Sequence, residues 1–253
     1  MPFKTNVWLR RIRAALRRGG SPEHAKGVQW FFKEEIRSHG WRTADLRRLA
    51  RKTSREIRTT GGMATFIEVA DQLFTGDVLE EKVFAVLLLE NSVARFGEQE
   101  FKLFESWLDR VSSWADHDGL VHYLIGPMIV AEPKRARHPL RWAKSRNRWR
   151  RRAAAVSLIR GARQRILFSQ IVCISEALLF DEDDMVQKGL GWLLREGAKA
   201  DPKRTVPYLL RIRDRAPRLV LRTACETLPA ATRSRVLLAV RSQKPIVSSA
   251  DGP

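Results

Sequence analysis

The segment SSWADHDGLVHYL, Ser112 to Leu124, places Trp114 four residues before Asp118, so on a helix an aromatic face and a carboxylate share one surface. An ionised carboxylate at such a place can stabilise a cation brought against the indole. On spacing alone the plainer reading, Trp114 in the core and Asp118 as a surface or capping charge, has the stronger claim. Asp116 falls on a different face from Asp118. His117 and His122 also point elsewhere and have no partners at ligand spacing, so they are expected at the surface and no metal site is expected.

KSRNRWRRRAA, Lys144 to Ala154, is the densest basic stretch, and no carboxylate occurs from Lys134 to Arg163. Such a run is often only a solvated helix face. Its apolar continuation through Ala153, Ala154, Ala155, Val156, Leu158 and Ile159 makes it the start of a packed helix with a cationic outer side. Arg146, Arg148, Arg150, Arg151 and Arg152 cannot all face one way, but several could meet a phosphate backbone together.

A third segment, MVQKGLGWLLREGAKADP, Met185 to Pro202, carries Lys188 and Trp192 close in helical phase, with Leu190, Leu193 and Leu194 on the buried side. Trp192 reads equally as a core residue and as a groove wall. Gly189 and Gly191 weaken a helix interior, which predicts close approach of another backbone; with no strand before them they are not a dinucleotide loop.

The elements that must position these residues are helical. Strand signals are nearly absent, and segment after segment shows apolar residues at three- and four-residue spacing. The pattern predicts an all-α chain, with helices over roughly residues 22–38, 43–58, 62–74, 115–131, 147–161 and 182–199 among others. Helix pairs recurring every 35–45 residues or so indicate an α-solenoid of HEAT-like repeats, a compact bundle being the other possibility. Trp114 and Arg152 are 38 positions apart, and Arg152 and Trp192 are 40 apart. One repeat each time would stack the indoles, the carboxylate and the guanidinium along a concave basic groove. Residues 1–243 are expected to form a single repeat domain. Residues 244–253, polar and rich in helix breakers, are expected to be a disordered tail.

Composition narrows the partners. Forty-seven lysines and arginines stand against 28 acidic residues, a formal charge of +19, and self-repulsion of that size favours a polyanion partner, nucleic acid first. No run of about 18 apolar residues could span a bilayer, so no membrane partner is expected. The basic amphipathic start, MPFKTNVWLRRIRAALRRGG, reads as a first structural helix rather than a targeting peptide. Cys173 and Cys225, both in apolar helical surroundings, point to a reducing cytoplasm without disulfides or zinc.

With these residues assembled, the chain resembles the HEAT-repeat DNA alkylation repair glycosylases, the AlkD-like family. The likeness runs from SPEHAKGVQWFFKEEIRSHGWRTADLRRLAR at 21–51 to PYLL at 207–210, and is most specific in SWADHD, WRRRAA and QKGLGWLLREGAK. It implies a monomeric, cofactor-free enzyme that excises N3- and N7-alkylated purines from double-stranded DNA. It places the catalytic carboxylate at Asp118, the flanking aromatics at Trp114 and Trp192, and a backbone-contacting arginine at Arg152. Arg146, Arg148, Arg151 and Lys188 would hold phosphates. In two places the chain departs from the pattern: Ala115 stands where the family often has Asp, and Phe31 where an N-terminal tyrosine approaches the lesion.

The implied chemistry is coherent. A purine alkylated at N3 or N7 is already a cation, so its departure needs no strong acid, and the demand moves to the positive charge developing on the sugar. An Asp118 carboxylate would meet that charge, and Arg152 would keep it ionised. A different class remains open, a non-enzymatic helical-repeat protein that binds damaged, branched or structured nucleic acid with the carboxylate idle; Ala115 and Phe31 favour it. A scaffold for an acidic protein partner would explain the charge but not the convergence of the four residues.

Overall fold

The computed structural model describes residues 2–238. The chain folds as α1 (Pro2–Gly19), α2 (Pro22–Gln29), α3 (Thr43–Phe74), α4 (Leu79–Leu89), α5 (Glu98–Trp107), α6 (Trp114–Leu120), α7 (Gly126–Ala131), α8 (Arg137–Trp142), α9 (Arg148–Val156), α10 (Ile159–Arg163), α11 (Phe168–Leu178), α12 (Asp184–Ala200), α13 (Pro202–Ile212), α14 (Arg218–Ala224) and α15 (Ala230–Leu237). No strand occurs among the described residues; one isolated bridge joins Arg37 to Val78. The all-α class predicted from the apolar spacing is therefore the class found. Helices pack chiefly on near neighbours in the chain, α3 on α4, α8 on α9 and α12 on α13 and α14, while α9 lies against α12. This sequential stacking is consistent with a solenoid.

The core is continuous from Leu9 to Val236, and its largest fully buried side chains include Phe66, Phe74, Phe84, Phe101, Phe104, Trp107 and Trp142. Among the described residues no helix is long and apolar enough to cross a membrane. The predicted tail 244–253, and the end of the predicted domain 1–243, lie outside the described residues.

Three local features depart from the sequence expectations. The helix expected over 22–38 stops at Gln29, and residues 30–42 form a loop. The Gln29 side chain bonds to Glu34 O and Ile36 N, while the buried Glu80 carboxylate on α4 accepts from the backbone N–H groups of His39, Gly40 and Trp41. These partners satisfy the backbone outside any helix. Conversely, the helices expected over 43–58 and 62–74 are joined as α3, with Gly62 at φ 73 marking the kink between them. Cys173, expected among apolar neighbours, is exposed, whereas Cys225 is buried.

The site depends on a widened turn. After α6 the chain makes a π-turn, Val121–Ile125, before α7. Pro127 stands on the second position of α7 and has no N–H to give the preceding turn, and the Gly126 N–H reaches back five residues to the Val121 carbonyl, the π rather than the α spacing.

Candidate active site

Asp118 sits near the C-terminal end of α6 and is bound by two neighbours. The Arg152 guanidinium on α9 meets it side-on, Nε 3.0 Å from Oδ1 and Nη2 2.8 Å from Oδ2. His117 places Nδ1 2.7 Å from the same Oδ1. Arg152 is 5% exposed, and its third contact is donation from Nη1 to the Met185 carbonyl on α12. Two helices distant in the chain are thus tied to α6 by one side chain. Burial by itself would raise the Asp118 carboxyl; the His117 hydrogen bond and the charge of Arg152 outweigh it and bring the carboxyl down to about 2. It is ionised at neutral pH.

Gly189 makes room for this arrangement. A Cβ there would stand 3.1 Å from the Arg152 Cγ and 3.4 Å from its Nη1. The close approach anticipated at Gly189 is thus to a side chain. At Gly191 it is the neighbouring helix itself: a Cβ would fall 2.6 Å from Thr223 Cβ and 3.1 Å from the Val220 carbonyl of α14.

Beside Asp118 opens a cavity of about 520 Å³ whose walls include Trp114, Trp192, Phe32, Tyr123 and His122. Trp114 is 36% exposed and stacks on Phe32, with centroids 5.0 Å apart and planes 16° from parallel. Its Nε1–H donates to the Phe31 carbonyl at 3.2 Å. Trp192 is half-buried, packs against the core and stacks on His122 at 5.7 Å. His122 and Tyr123 come from the π-turn, so the irregular turn after Asp118 supplies part of the wall. Burial pushes the His122 imidazole down, with the nearby Arg163 acting in the same direction.

The structure therefore brings Trp114, Asp118, Arg152 and Trp192 to one place in the fold. Phe31 is close but different in kind: it lies in the loop, 75% exposed, and touches Trp114 through its carbonyl, while Phe32 makes the ring contact. Lys188 is exposed and pairs with Asp184 at 3.2 Å; with Lys33, Trp114 and Arg152 it lines a second opening of about 310 Å³. Arg146 is exposed.

The arginine tract is arranged otherwise than expected. Although no carboxylate is near it in the chain, the fold supplies one to each of four arginines: Glu34 and Asp183 to Arg148, Asp109 to Arg150, Asp181 to Arg151 and Asp118 to Arg152. Arg151 also donates to the carbonyls of Ser145 and Arg146, and Arg148 stacks over Trp149 at 4.6 Å. Burying one side of α9 takes these guanidinium groups partly out of water, which requires counter-charges. Arg148 and Arg151 are thus tied into the fold, not lined up as a free phosphate-binding row. Arg152, expected to grip a phosphate, instead spends its fork on Asp118 and Met185.

Sequence reasoning missed two groups. His117, expected at the surface, is fully buried, with Nδ1 on Asp118 and Nε2 3.1 Å from the Trp149 carbonyl; burial pushes its imidazole down, against the pull of Asp118. Asp116 is also fully buried: it accepts from the backbone N–H groups of Ser112 and Ser113 and forms an ion pair with the buried Lys82 at 3.5 Å. The Ser-x-x-Asp spacing of a capping box at 113–116 was a legible signal for Asp116. Adjacent helical residues do not normally face each other, so nothing in the spacing marked His117.

A family model described as DNA alkylation repair enzyme matches residues 12–228. No curated protein matches. Among solved structures, one described as a predicted DNA alkylation repair enzyme from Enterococcus faecalis superposes with a TM-score of 0.75 at 17% identity, covering 83% of this chain and 97% of that one. At that identity the likeness bears on the fold.

Proposed function

Since the chain belongs to the DNA alkylation repair enzyme family, with DNA as its partner, we propose that it is a monofunctional glycosylase that hydrolyses the bond between deoxyribose and an N3- or N7-alkylated purine in duplex DNA. One observation carries this reading: a carboxylate held ionised by Arg152 and His117 at the edge of a cavity walled by two indoles.

An alkylated purine leaves with the electron pair of the C1′–N bond and becomes neutral, while positive charge accumulates on C1′ and the ring oxygen. Asp118, its carboxyl at about 2, is too weak a base to be charged with full proton removal from water. Its role is a fixed negative charge facing the sugar and an acceptor that orients the incoming water; the proton goes to solvent once the new C1′–O bond has formed. Trp114 and Trp192 offer π-faces to the cationic nucleotide, a contact of about 0.5–2 kcal/mol, and reduce the access of bulk water. Arg152 acts by orienting and charging Asp118. Phosphate contacts fall to exposed cations, Lys188 beside the second opening and Arg146 at the head of the tract. Phe31, at the lip of the site, would lie against the strand being read.

The test is to incubate the protein with methylated duplex DNA and look by mass spectrometry for released 3-methyladenine and 7-methylguanine. Release that depends on Asp118 is the expected result. Tight duplex binding with no base released from any alkylated substrate would replace the enzyme with a non-catalytic binding protein.

A further inference from the structure

We propose that His117 is a positioning residue for Asp118, using its Nδ1–H to fill Oδ1 so that the carboxylate presents one fixed acceptor site, on Oδ2. The inference rests on the glycosylase reading for its catalytic meaning but not for its geometry.

A carboxylate has about four acceptor sites, two on each oxygen. Oδ1 of Asp118 receives His117 Nδ1 at 2.7 Å and Arg152 Nε at 3.0 Å, and Oδ2 receives Arg152 Nη2 at 2.8 Å. Three donors leave one site, and it is on Oδ2. Arg152 alone would grip both oxygens and leave one site on each, so two orientations of an attacking water would compete. The imidazole removes one of them. Rate depends on the position of the reacting atoms at the scale of an ångström or less, so fixing which oxygen meets the water has a kinetic consequence.

The surroundings argue against a merely space-filling histidine. Both ring nitrogens face acceptors, the Asp118 carboxylate and the Trp149 carbonyl at 3.1 Å, and the ring is fully buried 5.5 Å from the Trp149 ring. An apolar side chain could pack there without a polar cost. The other charged groups facing this imidazole are Arg152 and Asp116, the latter already neutralised by Lys82 of α4. The buried ring is neutral and carries one proton; the anionic Asp118 Oδ1 draws it to Nδ1, and Nε2 then lies beside the Trp149 carbonyl as a packing contact.

Three substitutions separate the two contacts. His117→Asn keeps an amide N–H near the Nδ1 position, His117→Gln keeps one near Nε2, and His117→Leu keeps neither. Two readouts are used on the full chain: release of alkylated base at neutral pH, normalised to folded protein, and the pH titration of the Asp118 carboxyl carbon in ¹³C-aspartate-labelled protein, assigned with Asp118→Asn. In His117→Leu and His117→Gln, release should fall on the order of tenfold or more, and the carboxyl should titrate above its wild-type value of about 2, towards the ordinary 3.8. His117→Asn should restore both. An unchanged Asp118 titration in His117→Leu overturns the proposal, and so does rescue by Gln but not by Asn, which would make the ring a tie to Trp149 only. If His117→Leu does not fold, the Asn and Gln pair decides alone. Should wild-type protein release no base, the glycosylase reading falls, while the carboxyl titration still decides whether His117 governs Asp118.

Discussion

Asp118 and Arg152, 34 residues apart in the chain, form a side-on ion pair in which each carboxylate oxygen receives its own guanidinium N–H, at 3.0 and 2.8 Å. The guanidinium is almost wholly buried and the carboxylate is about one-fifth exposed. The pair therefore has two functions, structural on the arginine side and chemical on the side of the carboxylate that meets the cavity.

Replacing Asp118 by Asn should reduce base release by about 10²-fold or more, the usual cost of removing one preorganised electrostatic group. It should also destabilise the protein, because Arg152 would keep its buried charge without a counter-ion, a loss of about 3–5 kcal/mol where a buried pair is broken. Thermal unfolding and single-turnover release must therefore be measured together. Full activity per folded molecule would exclude Asp118 as the reacting carboxylate.

Acid should weaken the fold through the same residue. The Asp118 carboxyl is lowered in the folded state from 3.8 to about 2, so its contribution is fully present above the unfolded value and is lost as pH falls through the folded one. Integrated over that window it amounts to about 2 kcal/mol. Urea midpoints measured from neutral pH downward should fall less steeply between those two values in Asp118→Asn than in wild type.

Asp116→Asn, two positions away, is not the silent control that its different helical face would make it. Its carboxylate caps α6 and faces the buried Lys82, so the substitution should lower stability by about 3 kcal/mol or more while Asp118 keeps its own partners. Calorimetry should show a lower Tm, and base release per folded molecule should stay near wild type. The reverse pattern would move the chemistry to Asp116.

Duplex binding should weaken steeply with salt, and the contributing cations can be told apart. Lys188→Ala or Arg146→Ala, each removing an exposed charge, should reduce the log–log salt slope by about 0.9. Arg151→Ala, which breaks the pair with Asp181, should lower stability and leave the slope nearly unchanged. If Arg151→Ala reduces the slope and Lys188→Ala does not, the DNA lies along the tract and displaces its carboxylates.

Much of the site was legible because Trp114, Arg152 and Trp192 lie 38 and 40 residues apart in the chain, intervals that bring equivalent positions together where helix pairs stack in sequence. The widened turn was not legible. Pro127 is visible in the sequence, but whether a proline kinks a helix, ends it or opens a π-turn depends on what satisfies the freed carbonyls.

The amino-acid sequence by itself determined the helical class, the apolar faces that pack, and the presence of a carboxylate, an arginine and two indoles about 40 residues apart, because these follow from periodicity and spacing along one chain. Only the tertiary structure decided how the charges pair. Glu34, Asp109, Asp181 and Asp183 come from distant segments to neutralise the tract, and Glu80 of α4 holds the backbone N–H groups of residues 39–41, just beyond the stretch whose pattern predicts helix. The physical reason is desolvation: a buried or half-buried charge or backbone N–H must find a partner wherever the fold offers one, and that partner is set by packing, not by distance along the sequence.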